Sequence, residues 1–399
     1  MNASNPYPGD YSAFRETVRE FLTAGLTPEL ARAGERTTSV FSDFEAGRQW
    51  QSILHAKGWG APEWPLEYGG TGWDIQQRYI FLEECRLANA PNPVMMGVQM
   101  LGPMLMHFGN EAQKSAYLPG IISGDDVWCQ GYSEPGSGSD LASLKTTANR
   151  DGDEYVVNGT KIWTSMAHYA NWIFCLVRTD KSVKPQAGIS FLLIDMATPG
   201  ITVTPFSSLD GEIEQCQVFF EDARVPVSNL LGEENQGWTV AKYLLEFERG
   251  GQHFTIDLKK QLRKLRRLIG SEANAAAEDP TFVYRIAETE IDVLALEQTE
   301  LRIKGTVAAG EHPGALSSLV KVSGTELGQQ CAELLIEAAG QGAMPWQSEV
   351  LSPEYEGPTA APEECVTTMA EYINSRSTTI YGGTAEIQRG IIAKHVLGL

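Results

Sequence analysis

A chain of 399 residues is longer than one simple hydrophobic core supports, so its 42% hydrophobic content points to two or three packed domains. A formal net charge of -20 excludes a nucleic-acid or anionic-membrane surface, since both need clustered Lys and Arg. The six cysteines, Cys85, Cys129, Cys175, Cys216, Cys331 and Cys365, lie far apart with no C-x-x-C and no His at ligand spacing, which excludes a disulfide framework and a zinc site.

The first residues, MNASNPYPGDYS, lack the basic start and apolar run of a signal peptide, and no later run is long and apolar enough for a bilayer. A cytoplasmic enzyme is the expectation. Helical spacing of Phe14, Val18, Phe21 and Leu22 predicts a helix from Tyr11 to about Leu30, and Trp50, Ile53 and Leu54 predict another from Phe44 to about Lys57. Gly58 to Pro62 stops the second, and Pro65 to Gly72 reads as a glycine-rich loop. Two more helices follow, Gln76 to Leu87 and Pro93 to Phe108. The latter carries Met95, Met96, Met100, Met104 and Met106, a run that suits core packing first and a malleable wall for an acyl chain second.

After Gly124 the period changes toward alternation. Strands are predicted at Thr146 to Ala148, Tyr155 to Val157, Trp172 to Val177, Ile189 to Ile194, Ile201 to Phe206 and Gln215 to Phe220, separated by turn pairs such as Asp151-Gly152 and Asn158-Gly159. So many short strands in so short a stretch predict a compact β-barrel or sandwich. From Gly237 onward helices return: Trp238 to Phe254, Thr281 to Lys304, Ser317 to Ala339 and Thr367 to Asn374. The acidic, proline-containing segments Gly270 to Pro280 and Gln347 to Pro362 read as exposed loops. The fold expectation is therefore α+β: an N-terminal all-α domain over 1–126, a central β-barrel domain over 127–234, and a C-terminal four-helix bundle over 235–399.

One stretch stands out, Cys129 to Ser165. Ser133-Glu134-Pro135-Gly136-Ser137-Gly138-Ser139-Asp140 has too little apolar surface for a core element and suits close backbone approach to a ligand. Further on, Lys161-Ile162-Trp163-Thr164-Ser165 sets an indole beside two hydroxyls, a residue type that suits a core tryptophan first and a planar partner second.

The helix, strand, helix order, the SEPGSGSD loop opening the β-domain, and Tyr381-Gly382-Gly383-Thr384-Ala385-Glu386-Ile387-Gln388-Arg389 near the C-terminus together resemble the acyl-CoA dehydrogenase family of flavoproteins. The likeness runs over nearly the whole chain. It implies FAD as cofactor, with the isoalloxazine ring on Gln130, Tyr132 and Ser133, and the pyrophosphate or substrate on Ser139. Trp163 would pack against the ring and Ser165 would bond the nitrogen that receives hydride. Thr384 and Glu386 would supply further FAD contacts, beside Tyr381 and Gly382 near the thioester. It also implies an acyl-CoA substrate and an electron-transfer flavoprotein as acceptor. Straight-chain, dicarboxylyl, branched-chain and sterol side-chain thioesters fit alike.

The family's reaction needs a carboxylate to remove the proton next to the thioester carbonyl. Many members carry it directly after the tyrosine of the C-terminal motif, where this chain has Gly382. Others carry it on a helix before an arginine, and Leu244-Leu245-Glu246-Phe247-Glu248-Arg249 matches that pattern at Glu248. Glu246 lies about 200° around the helix from Glu248, so only one of them faces the flavin. Glu248 is the expected base and Arg249 its electrostatic support.

Two family segments differ here. The Arg-x-x-Phe-Gly segment of homomeric members falls in Lys259 to Gly270, KKQLRKLRRLIG, and the Gln-x-x-Gly-Gly-x-Gly segment reads Ile336 to Gly342 with Ile336 and Ala339 in place of the glutamine and a glycine. The resemblance therefore implies the base-bearing subunit of a heteromeric bacterial enzyme, α2β2 with a homologous partner, with a homo-oligomer as the other arrangement. Two competing readings accompany it: a flavin oxidase or monooxygenase of the same superfamily, and a non-catalytic structural subunit.

Overall fold

The computed structural model describes residues 10–41, 43–250, 253–270, 274–308 and 314–399, with side chains for all but 245–250, 275 and 307–308. Helices come first: α1 (Ser12–Gly25), α2 (Pro28–Glu35), α3 (Phe44–Ala56) and α4 (Ile75–Leu87), then a π-helical stretch Met96–Leu101 running into α5 (Gly102–Phe108), and α6 (Glu111–Ser123). Strands follow: β1 (Trp128–Gly131), β2 (Thr147–Asp151), β3 (Glu154–Lys161), β4 (Trp172–Arg178), β5 (Ile189–Asp195), β6 (Ile201–Phe206) and β7 (Gln215–Pro226). The last helices are α7 (Gly237–Gly250), α8 (Phe254–Ile269), α9 (Pro280–Ala308), α10 (Leu316–Ala339), α11 (Thr368–Asn374) and α12 (Ala385–Ile392).

Several boundaries differ from the sequence reading for identifiable reasons. The first predicted helix divides because Pro28 cannot continue α1, while Thr27 caps α2 by accepting the Leu30 amide at 3.3 Å. Helix α6, with Pro119 and Gly120 in its interior, escaped notice despite the capping box of Asn110 and Gln113 at its start. Helix α8 was hidden in a basic run, although Leu258, Leu262, Leu265 and Leu268 line one buried face. Asn158-Gly159 is no hairpin turn. It lies inside β3 at a bulge against β7, where a Cβ on Gly159 would come within 2.5 Å of Thr146 Oγ1.

The chain forms two compact units, Met1–Pro93 with His253–Thr379 and Ile391–Leu399, and Val94–Gln252 with Ile380–Gly390. In the first, Val18, Leu30, Trp50, Leu54 and Phe81 gather α1 to α4 around one core. A second core joins α8, α9 and α10 through residues such as Leu265, Phe282, Val293 and Leu334, with α11 against α10. In the second unit the strands run in the order β1-β4-β2-β3-β7-β6, with β5 on β4. Strand β4 pairs along its length with β5, while its other edge takes β1 and then β2, both parallel. Among the described residues no ladder joins β5 to β6, so the expected barrel is a curled open sheet. Alternate residues such as Ile173, Cys175, Leu192, Val218 and Val225 fill its concave core. Helix α7 buries Val240, Ala241 and Leu244 and packs on β4 and β5. It belongs to the same compact unit as the sheet.

Candidate active site

The SEPGSGSD loop leaves the end of β1 and returns to β2, and two buried cations fix it. Lys161, at the end of β3 and fully buried, donates to Glu134 Oε1 at 2.8 Å and to the Tyr132 carbonyl at 3.1 Å. Glu134 also accepts the backbone amides of Lys145 at 2.6 Å and Thr146 at 2.9 Å. Burial alone would raise the Glu134 carboxyl, but Lys161 and these amides outweigh it and hold it below the ordinary carboxylate range. At the far end of the loop Arg178 donates to the carbonyls of Ala142 at 2.6 Å and Leu144 at 3.1 Å. A loop of small residues, flexible by composition, is thereby held as rigid backbone.

The same contacts bring the two halves of the stretch together. The Ile162 amide donates to the Ser133 carbonyl at 2.9 Å, so Trp163 emerges beside the loop. Trp163 adopts a left-handed backbone, φ 61°, and leaves its indole 61% exposed with only an edge contact to Phe206 at 5.2 Å. An indole held outward at this backbone cost is not a core residue. Ser165 donates to Gln215 Oε1 at 3.2 Å. Between them Thr164 is buried, and its hydroxyl has no hydrogen-bond partner among the described residues.

Gln130 is half-buried on β1, Tyr132 is buried and edge-on to Phe174 and Phe191, Ser133 is half-buried, and Ser139 is exposed in the loop. An added Cβ on Gly136 or Gly138 would meet nothing within 4 Å. Tyr381 to Glu386 belong to the same compact unit. Gly382 and Gly383 take left-handed backbones, φ 62° and 85°, and the buried Gln388 amide donates to both carbonyls, at 3.3 and 3.5 Å. Thr384 accepts the Ile387 amide at 3.2 Å at the start of α12. Glu386 is exposed there, its carboxyl lowered by its own backbone amide and the Thr384 hydroxyl. Glu248 and Arg249 fall in the last turn of α7, but their side chains lie outside the described residues.

The exposed indole, the neighbouring hydroxyls, the orphaned Thr164 oxygen and the open glycines fit a flat ring with a polar tail, so these residues suit a flavin. The Glu134 and Lys161 pair and the Gln388 brace were missed by the sequence reading. The stretch from Cys129 to Ser165 also carries Asp140, Lys145, Arg150, Asp151, Asp153 and Glu154, so composition gave no signal that pairs Glu134 with Lys161. Among the described residues no cluster of His, Cys, Asp or Glu could hold a metal ion, and no helix is long and apolar enough to cross a membrane.

A curled sheet carrying a small-residue loop and an outward tryptophan, with helices before and after it in the chain, defines a three-part class of protein whose loop suits a flat-ring cofactor. Three family models match in chain order: the acyl-CoA dehydrogenase N-terminal domain over 9–125, the middle domain over 129–223 and the C-terminal domain over 235–397. The chain is 37% identical to acyl-CoA dehydrogenase IpdE1 of Mycobacterium tuberculosis, over 98% of both chains, and 33% identical to acyl-CoA dehydrogenase FadE26 of the same organism, again over 98% of both. Among solved structures it resembles the Tcur3481-Tcur3483 steroid ACAD, with TM-score 0.84, 31% identity and 98% of each chain covered. It also resembles the ChsE4-ChsE5 complex from Mycobacterium tuberculosis, with TM-score 0.83, 32% identity and 100% and 99% covered. The chain belongs to the acyl-CoA dehydrogenase family, whose members dehydrogenate acyl-CoA with FAD.

Proposed function

We propose that this chain converts an acyl-CoA thioester to the trans-2-enoyl-CoA, with Glu248 as the base and an electron-transfer flavoprotein as the acceptor. The observation that carries the reading is Gly382. The position that bears the base in many members has no side chain here and is bent into a left-handed turn braced by Gln388, while a Glu-Arg pair lies at the end of α7 in the same compact unit. FAD, when bound, supplies the hydride acceptor. The chain's own residues do the rest: Gln130, Tyr132, Ser133, Trp163 and Ser165 hold and orient the ring, Ser139, Thr384 and Glu386 take its polar tail or the substrate, and Glu248 holds the α-proton at its carboxylate. We read 235–399, which holds α7 to α12, as the family's C-terminal helical bundle, and Arg249 as electrostatic support for the base.

The assembly we infer is heteromeric, with a homologous partner completing the cofactor site. Ile336 and Ala339 lack the hydrogen-bonding side chain and the bare backbone of the family segment. The other departure is smaller than it first reads: Arg266 stands four residues before Gly270, so only Ile269 differs from Arg-x-x-Phe-Gly, and the Arg266 guanidinium pairs with Glu290 at 2.6 Å in this chain. That the similar solved chains come from two-component complexes supports the partner, and the likeness to the Tcur3481-Tcur3483 steroid ACAD favours a steroid-derived thioester as the substrate class.

Anaerobic titration with sterol side-chain, branched and straight-chain acyl-CoA tests the reading, for the chain alone and with a co-expressed homologue. Bleaching of the oxidised flavin is expected with the first class and in the complex. Glu248→Gln is expected to keep its flavin and lose at least about a hundredfold in bleaching rate, the span of a general base. Full activity of that variant would assign the base elsewhere, and turnover on oxygen without an acceptor would favour an oxidase.

A further inference from the structure

The segment from Trp163 to Met166 lies along the start of β7 like a short added strand. Thr164 and Cys216 exchange both backbone bonds, at 3.1 and 3.2 Å, and the Met166 amide donates to the Glu214 carbonyl at 2.7 Å. Ser165 and Gln215 are therefore the directly opposed pair between them, with their side chains on one face. Alternation sends Thr164 and Cys216 into the core, both fully buried, and turns Ser165 and Gln215 to the other side, both half-buried. Across the next ladder β6 sets Phe206 opposite Gln215, and Phe206 is the ring that Trp163 touches edge-on at 5.2 Å. Gln215 thus stands inside the platform, between the phenyl ring and the hydroxyl, with its Oε1 accepting the Ser165 proton at 3.2 Å.

That bond is not needed to hold the segment down, since backbone bonds do so on both sides of it. What it fixes is the direction of one hydroxyl proton. A hydroxyl has one proton and two lone pairs, so it donates to one partner while accepting from another. A ring nitrogen that receives hydride accepts a hydrogen bond beforehand and donates one afterwards, so a hydroxyl facing it has to turn its proton away once the ring is reduced. The turn is costly unless a second acceptor waits for that proton, because a polar hydrogen shut off from water and left unpaired forfeits a hydrogen bond. We propose that Gln215 is that second acceptor, a positioning residue that lets the Ser165 hydroxyl donate to the oxidised ring and accept from the reduced one. The inference rests on the reading of Ser165 given above and deepens it: Ser165 meets the ring, and Gln215 acts on the ring through Ser165. It depends neither on Glu248 nor on the acyl group.

The test is the two-electron midpoint potential of the bound flavin, titrated with dithionite against an indicator dye in the full chain co-expressed with its homologue. Gln215→Leu removes the acceptor and keeps a side chain between Ser165 and Phe206. It is expected to bind oxidised FAD as the parent does and reduced FAD about tenfold more weakly, the worth of one hydrogen bond, which is a midpoint about 30 mV lower. Gln217→Leu, two residues along β7 on the same face, is expected to keep the parent midpoint. In a Ser165→Ala background Gln215→Leu is expected to shift the midpoint no further, because the hydroxyl through which it acts is gone, whereas a merely structural role gives equal shifts in both backgrounds. An unchanged midpoint in Gln215→Leu, or equal shifts with and without the Ser165 hydroxyl, would overturn the proposal. Dithionite reduces the flavin without any acyl-CoA, so the midpoint shift in a protein that no thioester bleaches would sink the dehydrogenase reading and leave this one standing.

Discussion

Both compact units bury charge, and they handle it in opposite ways. Beneath the small-residue loop of the sheet unit, Lys161 and Glu134 face each other with every remaining contact supplied by backbone, and the carboxyl is held below its ordinary range. Between α4, α8 and α9 of the helical unit the compensation is thinner. The Tyr79 hydroxyl donates to Glu297 at 2.9 Å, Lys259 pairs with the same carboxylate, and Glu300 takes the Thr255 hydroxyl at 2.5 Å. Lys304 donates to His253 Nδ1 at 2.7 Å and lies 4.3 Å from the centre of the Tyr79 ring. Here burial prevails. It raises the Glu300 carboxyl despite Thr255 and Lys304, pushes the Lys304 ammonium down to about 8, and drives the His253 imidazole well below its usual value. One unit stabilises charge to fix a loop. The other suppresses charge to keep helices packed.

The largest expected effect breaks the first half of that contrast. Lys161→Met strands the Glu134 carboxylate in a buried site, which costs about 3–5 kcal/mol when one partner of such a pair is removed. Urea unfolding should show that loss together with weaker FAD retention. The double variant with Glu134→Gln should recover part of it, because no charge is left unpaired. A single variant as stable as the parent would mean that the pair carries no weight in holding the loop.

Next in size is a pH effect centred on His253 of the helical unit. The folded pKa of His253 is depressed, so below about 6.5 the unfolded chain takes up a proton that the folded chain does not, and stability falls with pH at up to about 1.4 kcal/mol per unit. Lys304, Arg86 and Tyr79 face this imidazole, and the two cations oppose its protonation. Glu134 behaves in the other sense: its contribution is complete above the unfolded carboxylate range, about 4, and is lost only as pH falls through its lower folded value. Between pH 6.5 and 5 the His253 contribution should therefore weaken while the Glu134 anchor of the loop holds. His168 of the sheet unit, lowered by burial, acts in the same sense as His253, and Glu300, raised by burial, in the opposite sense. His253→Gln should flatten the slope of melting temperature against pH, and an unchanged slope would assign the acid sensitivity to another group.

The contrast also explains what the sequence could reveal. Strands β4 and β5 were legible because Trp172 to Val177 and Ile189 to Ile194 are continuous apolar runs, buried on both faces between the sheet core and α7. The loop was legible as a loop, since Pro135, Gly136 and Gly138 deny it a core. What fixes it was not: Lys161 lies 27 residues from Glu134, and composition does not say which of many lysines folds inward. Asn158-Gly159 misled because the dipeptide signals a turn locally, whereas the close approach of Thr146 demanded a glycine inside a strand. Trp163 could be read two ways from its type, and only its left-handed backbone and exposure separate a platform from a core residue.

Trp163 therefore gives the smallest stability effect and the sharpest functional one. Its indole is mostly exposed, so little packing is lost on truncation, and Trp163→Gly relieves the left-handed strain while adding the unfolded-state entropy of glycine, two contributions of about 1 kcal/mol that nearly cancel. The flavin-free protein should melt within about 0.5 kcal/mol of the parent, as ordinary surface substitutions do. Flavin binding should nevertheless weaken, and the visible spectrum of the bound flavin should shift, because a stacked indole polarises the ring it covers. Equal stability with an altered spectrum is the outcome a flavin platform requires. A large loss of stability with an unchanged spectrum would return Trp163 to the core, and the sheet unit would then hold its loop for some purpose other than the flavin.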